Sequence, residues 1–405
     1  MLLNEIHESV TAMLAKLVAA GEYRVYISNY VAQLQQELAD RLESQHCLLA
    51  SSGTAALEIA LRGGGVGPGD EVVLSAYDYP GNFWAIDRVG ATPVLVDTLP
   101  NSWRISLEQL QLALQNSPKC KAVIASHLHG EMQDVVSLRR LCDQYERLFI
   151  EDCCQALGAK IGEHPAGSYG DVAVVSFGGG KLLSAGRGGG MLTSIPELAQ
   201  RCRIAAGAGS GPYLMSEVQA AIVLAQLPWL NQINEQCCEY FLAVNRLFES
   251  KATDAIGWHL PYLDQLQAKQ SALYQAGWLL GPSNRSVEPD QRQASRPSTR
   301  EQKTRVPKTA LSMEPEGDIF SSAISQIMDQ AEALDVGHRR YSVGRGFPGF
   351  HRRSKRRCRV LTELTNVSAT VARTLVVHHR VALEEQIRPD ELALELLQGM
   401  TYSKG

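Results

Sequence analysis

Lys181 stands at the end of Val175-Ser176-Phe177-Gly178-Gly179-Gly180, and Asp152 closes the run Leu148-Phe149-Ile150-Glu151. A lysine in a glycine-rich, water-poor turn loses its proton more easily than one in water and can condense with an aldehyde. A carboxylate at the end of a neighbouring strand can keep a pyridine nitrogen protonated. With Ser176 ending a second strand, these residues outline a cofactor site and suggest pyridoxal phosphate.

Three further stretches bear on that chemistry. Ser51-Ser52-Gly53-Thr54-Ala55-Ala56-Leu57 lies between a predicted strand and a predicted helix. Backbone N–H groups and the Thr54 hydroxyl at such a helix start bind phosphate, although Ser and Thr there also serve as plain caps. In Ser75-Ala76-Tyr77-Asp78-Tyr79-Pro80-Gly81-Asn82-Phe83-Trp84, any of Tyr77, Tyr79, Phe83 and Trp84 can stack on a planar ring or simply pack. His127 and His129 share a strand-like face, but no carboxylate or cysteine nearby in sequence completes a ligand set. No metal site is expected, and His127 reads as a polar neighbour of the cofactor. Gly186-Arg187-Gly188-Gly189-Gly190 precedes a strand instead of following one, so it is a turn and not a dinucleotide fingerprint.

These residues need a scaffold, and the chain supplies one. Its 405 residues suit two domains, with 45% hydrophobic and 20% charged residues. A net charge of −4 gives no global reason to expect nucleic acid or membrane as a partner. The basic run His351 to Arg359 reads as a solvated face. The nine cysteines have neither zinc-cage spacing nor disulfide-framework density, so reduced thiols and a cytoplasmic location are expected. The N-terminus lacks a basic region followed by an apolar one, and no apolar run reaches membrane-spanning length.

Seven short apolar runs read as strands: 47–50, 71–74, 92–96, 122–125, 148–150, 172–175 and 190–193. Helix-like stretches separate most of them. Such βα alternation predicts a mainly parallel seven-stranded sheet between helices, preceded by a helix over about 29–46. A second helical stretch begins at Ser216, breaks at Pro228 and continues toward 250. Residues 1–250 are therefore expected to form the large domain and 251–405 a smaller α+β domain. Within the latter, 282–316 is rich in Pro, Ser, Arg, Gln and Glu, which reads as a disordered or inserted stretch.

The ordered set Ser52-Gly53-Thr54-Ala55-Ala56-Leu57, Gly67-Pro68-Gly69-Asp70-Glu71-Val72, Val94-Leu95-Val96-Asp97, His127-Leu128-His129-Gly130, Glu151-Asp152-Cys153-Cys154-Gln155-Ala156, Gly170-Asp171-Val172, Ser176…Lys181 and Ser216-Glu217-Val218-Gln219 resembles the DegT/DnrJ/EryC1/StrS aminotransferases. These are fold-type-I enzymes dependent on pyridoxal 5′-phosphate. The resemblance, over about 25–250, implies that Lys181 carries the cofactor, Asp152 binds its pyridine nitrogen and Gln155 lies near its phenolic oxygen. It places Gly53, Thr54 and Ser176 on the phosphate and Tyr79 on the ring face. It further implies a homodimer that transfers an amino group from glutamate or glutamine to a nucleotide-linked keto-sugar or a cyclitol ketone. Three departures stand out. Pro212-Tyr213-Leu214-Met215 replaces the family's Asn-Tyr-Arg-Met, Arg187 stands where Glu is usual, and 282–340 does not match. They give a second reading, a weakly catalytic regulatory or scaffold dimer.

Overall fold

A computed structural model describes residues 2–207, 211–251, 257–281, 343–345, 358–360, 364, 366–367, 370, 373–383, 388–393 and 396. The chain begins with α1 (Leu2–Ala19) and α2 (Tyr30–Arg41). The alternating core follows as β1 (His46–Ala50), α3 (Gly53–Gly63), β2 (Glu71–Ser75), α4 (Pro80–Arg88), β3 (Thr92–Val96), α5 (Leu107–Asn116), β4 (Cys120–Ser126), α6 (Val135–Gln144) and β5 (Leu148–Asp152). A small hairpin, β6 (Lys160–Ile161) and β7 (His164–Pro165), leads to β8 (Val172–Ser176) and β9 (Gly189–Thr193). Next come α7 (Pro196–Ala206), α8 (Glu217–Gln226) and α9 (Leu230–Lys251). The last described elements are β10 (Gly257–His259), α10 (Leu263–Gln267), β11 (Gln275–Gly281), β12 (Val343–Arg345), β13 (Arg359–Val360), β14 (Thr374–His378) and α11 (Arg380–Leu383).

The main sheet has eight strands in the order β1-β9-β8-β5-β4-β2-β3-β13, not the seven expected. The eighth is Arg359–Val360, which pairs parallel to Val94 and Leu95 at the β3 edge. Two residues carry no periodicity, so a sequence pattern cannot find such a strand. Arg359, expected on a solvated basic face, instead forms an ion pair with Glu71 at 2.8 Å. Residues 282–316 lie outside the described residues.

β2, β3, β4, β5 and β8 run parallel, while β9 is antiparallel to both neighbours. Their residues are buried almost throughout, as a sheet covered on both faces requires. Register aligns Ser126 with Asp152, Asp152 with Val174, and Ser176 with Gly189 beside Ala50. The carboxyl ends of the parallel strands thus share one edge, where open α/β sheets take their ligands.

A second, antiparallel sheet has the order β10-β11-β14-β12. It packs on loops of that same edge. The Gly277 N–H donates to the His129 carbonyl at 3.1 Å, and Trp103 Nε1–H donates to Thr374 Oγ1 at 3.1 Å. Gly277 permits this close approach, because a Cβ there would lie 2.7 Å from both the Trp103 ring and His129 Cβ.

Candidate functional site

The helix start comes first. Ser52 caps α3 by accepting from the Ala55 N–H, and the ladder opens with Ala56 N–H to the Ser52 carbonyl. The Gly53 and Thr54 amides precede that ladder and are presented to whatever lies beyond the helix. Gly53 has no room for a side chain: a Cβ would sit 2.9 Å from Cys154 Sγ and 3.0 Å from Ser176 Cβ. The backbone of Gly189 presses on the Gly53 amide, where a Cβ would come within 2.5 Å. Ser176 accepts from the Gly178 N–H at 3.3 Å, so its hydroxyl proton is directed elsewhere. The Ser51 N–H donates to the Tyr213 carbonyl and its hydroxyl to the Pro212 carbonyl, at 2.6 and 3.2 Å. The departure at Pro212 therefore contributes a backbone clamp on this turn.

Asp152 ends β5 and is buried. Its Oδ1 accepts from the Cys154 N–H at 2.9 Å; its Oδ2 accepts from Asn82 Nδ2 at 2.9 Å and Ser126 Oγ at 3.3 Å.

Lys181 lies in the turn between β8 and β9, whose backbone is closed by Lys181 N–H to the Gly178 carbonyl and Gly179 N–H to the Gly186 carbonyl. The residue as a whole is half-buried. Burial pushes its pKa down, while Cys154 and Asp152 pull the other way. The ammonium lies 4.1 Å from the centroid of the Tyr274 ring, just before β11. Tyr274 in turn packs edge-on against His378, the last residue of β14. His378 also meets the lysine turn: a Cβ on Gly180 would lie 3.2 Å from its Nε2. Its Nδ1 accepts from the Arg380 N–H, and burial lowers its pKa to about 4.

The aromatic alternatives separate cleanly. Tyr77 and Phe83 are core residues, the former with its hydroxyl 2.9 Å from His129 Nε2. Trp84 is exposed on α4. Tyr79, at 44% exposure, leans over Gly81, where a Cβ would meet its ring at 2.5 Å and Thr54 Oγ1 at 2.7 Å. Burial raises the Tyr79 pKa, with Cys154 and Asp152 adding to it. Of these four, Tyr79 is thus the one that reaches the site, where it joins Tyr274. Gln155 is buried and accepts from the His129 N–H at 3.2 Å, so its amide N–H groups remain available as donors.

His127 does not neighbour the cofactor site as expected. Its Nε2 lies 2.9 Å from Glu151, the residue before Asp152 on β5, and alternation along a strand puts consecutive side chains on opposite faces. The expectation that no carboxylate or cysteine joins His127 is also overturned. Potential ligand atoms of His127, Glu151 and Cys153 lie within 4.8 Å of one another. Glu151 is already engaged, accepting from the N–H groups of Gly167, Tyr169 and Gly170. This cluster pins the 167–170 loop beneath the site.

Lys181, Asp152, Gly53, Thr54, Tyr79 and Ser176 are brought together, with Gln155 beside His129. Sequence reasoning missed Asn82, Ser126, Cys154, Tyr274 and His378.

The family model described as the DegT/DnrJ/EryC1/StrS aminotransferase family matches residues 4–260. A pleiotropic regulatory protein of Geobacillus stearothermophilus is 34% identical over 244 residues, 58% of this chain and 65% of that protein. A GDP-perosamine synthase of Caulobacter vibrioides is 31% identical, covering 59% of this chain and 63% of the relative. An L-glutamine:2-deoxy-scyllo-inosose aminotransferase of Streptomyces kanamyceticus is 34% identical over 45% of this chain and 42% of its own length. The chain thus spans less than two thirds of the length of these relatives. Among solved structures, a DegT DnrJ EryC1 StrS aminotransferase from Brucella abortus matches with a TM-score of 0.75 at 22% identity, covering 99% of this chain and 96% of the other. A 3-amino-5-hydroxybenzoic acid synthase matches with a TM-score of 0.75 at 20% identity, covering 98% and 97%. At these identities the structures speak for the fold.

Proposed function

The chain belongs to the DegT/DnrJ/EryC1/StrS aminotransferase family, and from that premise we propose that it is a pyridoxal 5′-phosphate-dependent aminotransferase. The observation that carries the reading is the buried amine of Lys181, depressed in basicity and coupled electrostatically to Asp152. The donor set fits the cofactor. An amine, a hydrogen-bonded carboxyl group and the open start of α3 meet at one sheet edge, and Gly53 and Gly81 leave room that a side chain would fill.

Pyridoxal 5′-phosphate, when bound, supplies an aldehyde and a ring that accepts electrons. Lys181 would hold the cofactor through its amine, which burial helps to keep neutral, and the same amine, when free, would serve as the base and acid that carries a proton to and from the amino donor's α-carbon. Asp152 would hold the proton on the ring nitrogen. Gly53, Thr54 and Ser176 would hold the phosphate, Tyr79 would cover one ring face, and Gln155 would donate toward the phenolic oxygen.

The donor is glutamate or glutamine and the acceptor a nucleotide-linked keto-sugar or cyclitol ketone; the relatives' names, GDP-perosamine synthase and L-glutamine:2-deoxy-scyllo-inosose aminotransferase, support both acceptor classes. The protein works as a cytoplasmic homodimer with a large domain over 1–250 and a smaller one over 251–405. Among the described residues no helix is long and apolar enough to cross a membrane. The name of the Geobacillus relative favours the second reading, a regulatory dimer. Pyridoxal-loaded protein assayed with glutamate and glutamine against a panel of keto-sugar nucleotides and cyclitol ketones tests the proposal. Turnover abolished by Lys181→Ala supports it; a loaded protein inert toward the whole panel and toward both donors favours the regulatory reading.

A further inference from the structure

Asp78 is a buried carboxyl that the chemistry above leaves unused. It lies just beyond β2 and is 3% exposed. Its Oδ1 accepts from the Tyr79 N–H at 2.7 Å and from Asn82 Nδ2 at 3.1 Å, while its equally buried Oδ2 has no hydrogen-bond partner among the described residues. The same Asn82 nitrogen lies 2.9 Å from Asp152 Oδ2 and 3.0 Å from Ser126 Oγ, and the Ser126 hydroxyl reaches that Asp152 oxygen at 3.3 Å. One buried side-chain amide therefore ties two buried carboxyls together.

Two carboxyls so placed do not both ionise readily. The structure distinguishes them. Asp152 has a donor on each oxygen, whereas Asp78 has none on Oδ2 among the described residues, and a buried oxygen that no donor reaches supports negative charge least and gains most from a proton. The charged and titratable groups around Asp78 are consistent with that assignment. Burial, then the charge of Asp152, push its pKa up to about 8, against the hydrogen bonds from Tyr79 and Asn82. Cys154, the other titratable group coupled to it, is raised well above the usual thiol range.

We propose that Asp78 and Asp152 form a carboxyl pair with a single proton, bridged by Asn82, in which Asp78 holds the proton and thereby fixes the charge that Asp152 presents to the cofactor's ring nitrogen. Asp78 is a positioning residue, and its role rests on the reading of Asp152 given above. At neutral pH the pair carries one negative charge; above about pH 8 it carries two, and the ring nitrogen meets a stronger field.

The test has an arm without cofactor and an arm with it. In the full chain labelled with 13Cγ-aspartate and free of cofactor, one carboxyl carbon titrates between about pH 7 and 9 and is absent from Asp78→Asn. A wild-type spectrum in which every aspartate is already ionised at pH 6 overturns the pair without recourse to any variant. In the same cofactor-free proteins, the ratio of folding constants, wild type over Asp78→Asn, falls by up to about tenfold per pH unit from pH 5 to 7.5. The unfolded chain releases the proton near pH 4 and the folded chain retains it. A flat ratio contradicts the proposal.

With pyridoxal 5′-phosphate as the probe, the affinity of wild type relative to Asp78→Asn rises severalfold between pH 6.5 and 9. Equal pH profiles in the two loaded proteins remove the proposed role, whatever the carboxyl spectrum does. Failure of both proteins to bind the cofactor overturns the reading of Asp152 and the role of Asp78 with it, leaving the carboxyl pair to stand or fall on the first arm.

Discussion

Lys181 would have to be neutral both to take up the cofactor and to accept the donor's α-proton, and charged while it carries that proton, and its surroundings serve both needs. Burial disfavours the cation while Asp152 and the Tyr274 ring support it. Asp152 is the complementary group, and its replacement is correspondingly severe. Asp152→Asn sets an amide N–H against Asn82 Nδ2 or Cys154 N–H, whichever way it turns. The variant is expected to lose about 1–3 kcal/mol of stability, measured by urea titration. Its single-turnover rate should fall on the order of 10²–10³-fold. Both residues were legible in the sequence, because amine and carboxylate chemistry shows in residue type and each sits at the end of an apolar run. Asn82, Asp78 and Ser126 were not. They belong to α4, the loop after β2 and the end of β4, and look like ordinary turn and cap residues until the sheet register sets them beside Asp152.

Elements position these groups by register and close approach. The parallel strands were legible almost residue for residue, since a sheet covered on both faces leaves nearly continuous apolar runs. The second sheet was not, because its strands are separated by long stretches of chain and its contact with the site runs through Gly277, Tyr274 and His378. Gly277→Ala drives a Cβ into Trp103 and His129, so about 1–3 kcal/mol of stability should be lost, read as a lower thermal midpoint. His378 gives a pH signature. Its imidazole stays neutral when folded down to about pH 4, whereas the unfolded chain takes up a proton near 6.5. Stability relative to His378→Asn is fully present above pH 6.5. It falls by up to about tenfold in the folding constant per pH unit as pH drops toward 4. A pH-independent ratio would place His378 in water instead of against Gly180.

For the whole molecule, the exposed apolar residues Tyr23, Val25, Tyr26 and Ile27, between α1 and α2, give the proposed homodimer a surface. Tyr26 and Ile27 are 77% and 84% exposed, more than a monomer has reason to leave uncovered together. Sedimentation should report a dimer for the native chain and a shift toward monomer for the double variant Tyr26→Asp, Ile27→Asp. A native monomer would contradict that assembly. The helix over 2–19 that precedes this stretch was not foreseen, because only Leu2, Ile6 and Leu17 of it are buried and its pattern is correspondingly faint.

Everything proposed for this site depends on Lys181 being the residue that holds the cofactor. The direct measurement is borohydride reduction of the pyridoxal 5′-phosphate-loaded protein, followed by peptide mapping of the adduct. The prediction is a visible absorption band before reduction and one adduct, on Lys181, absent from Lys181→Ala. No band and no adduct, or an adduct spread over exposed lysines and unchanged in the variant, would contradict it.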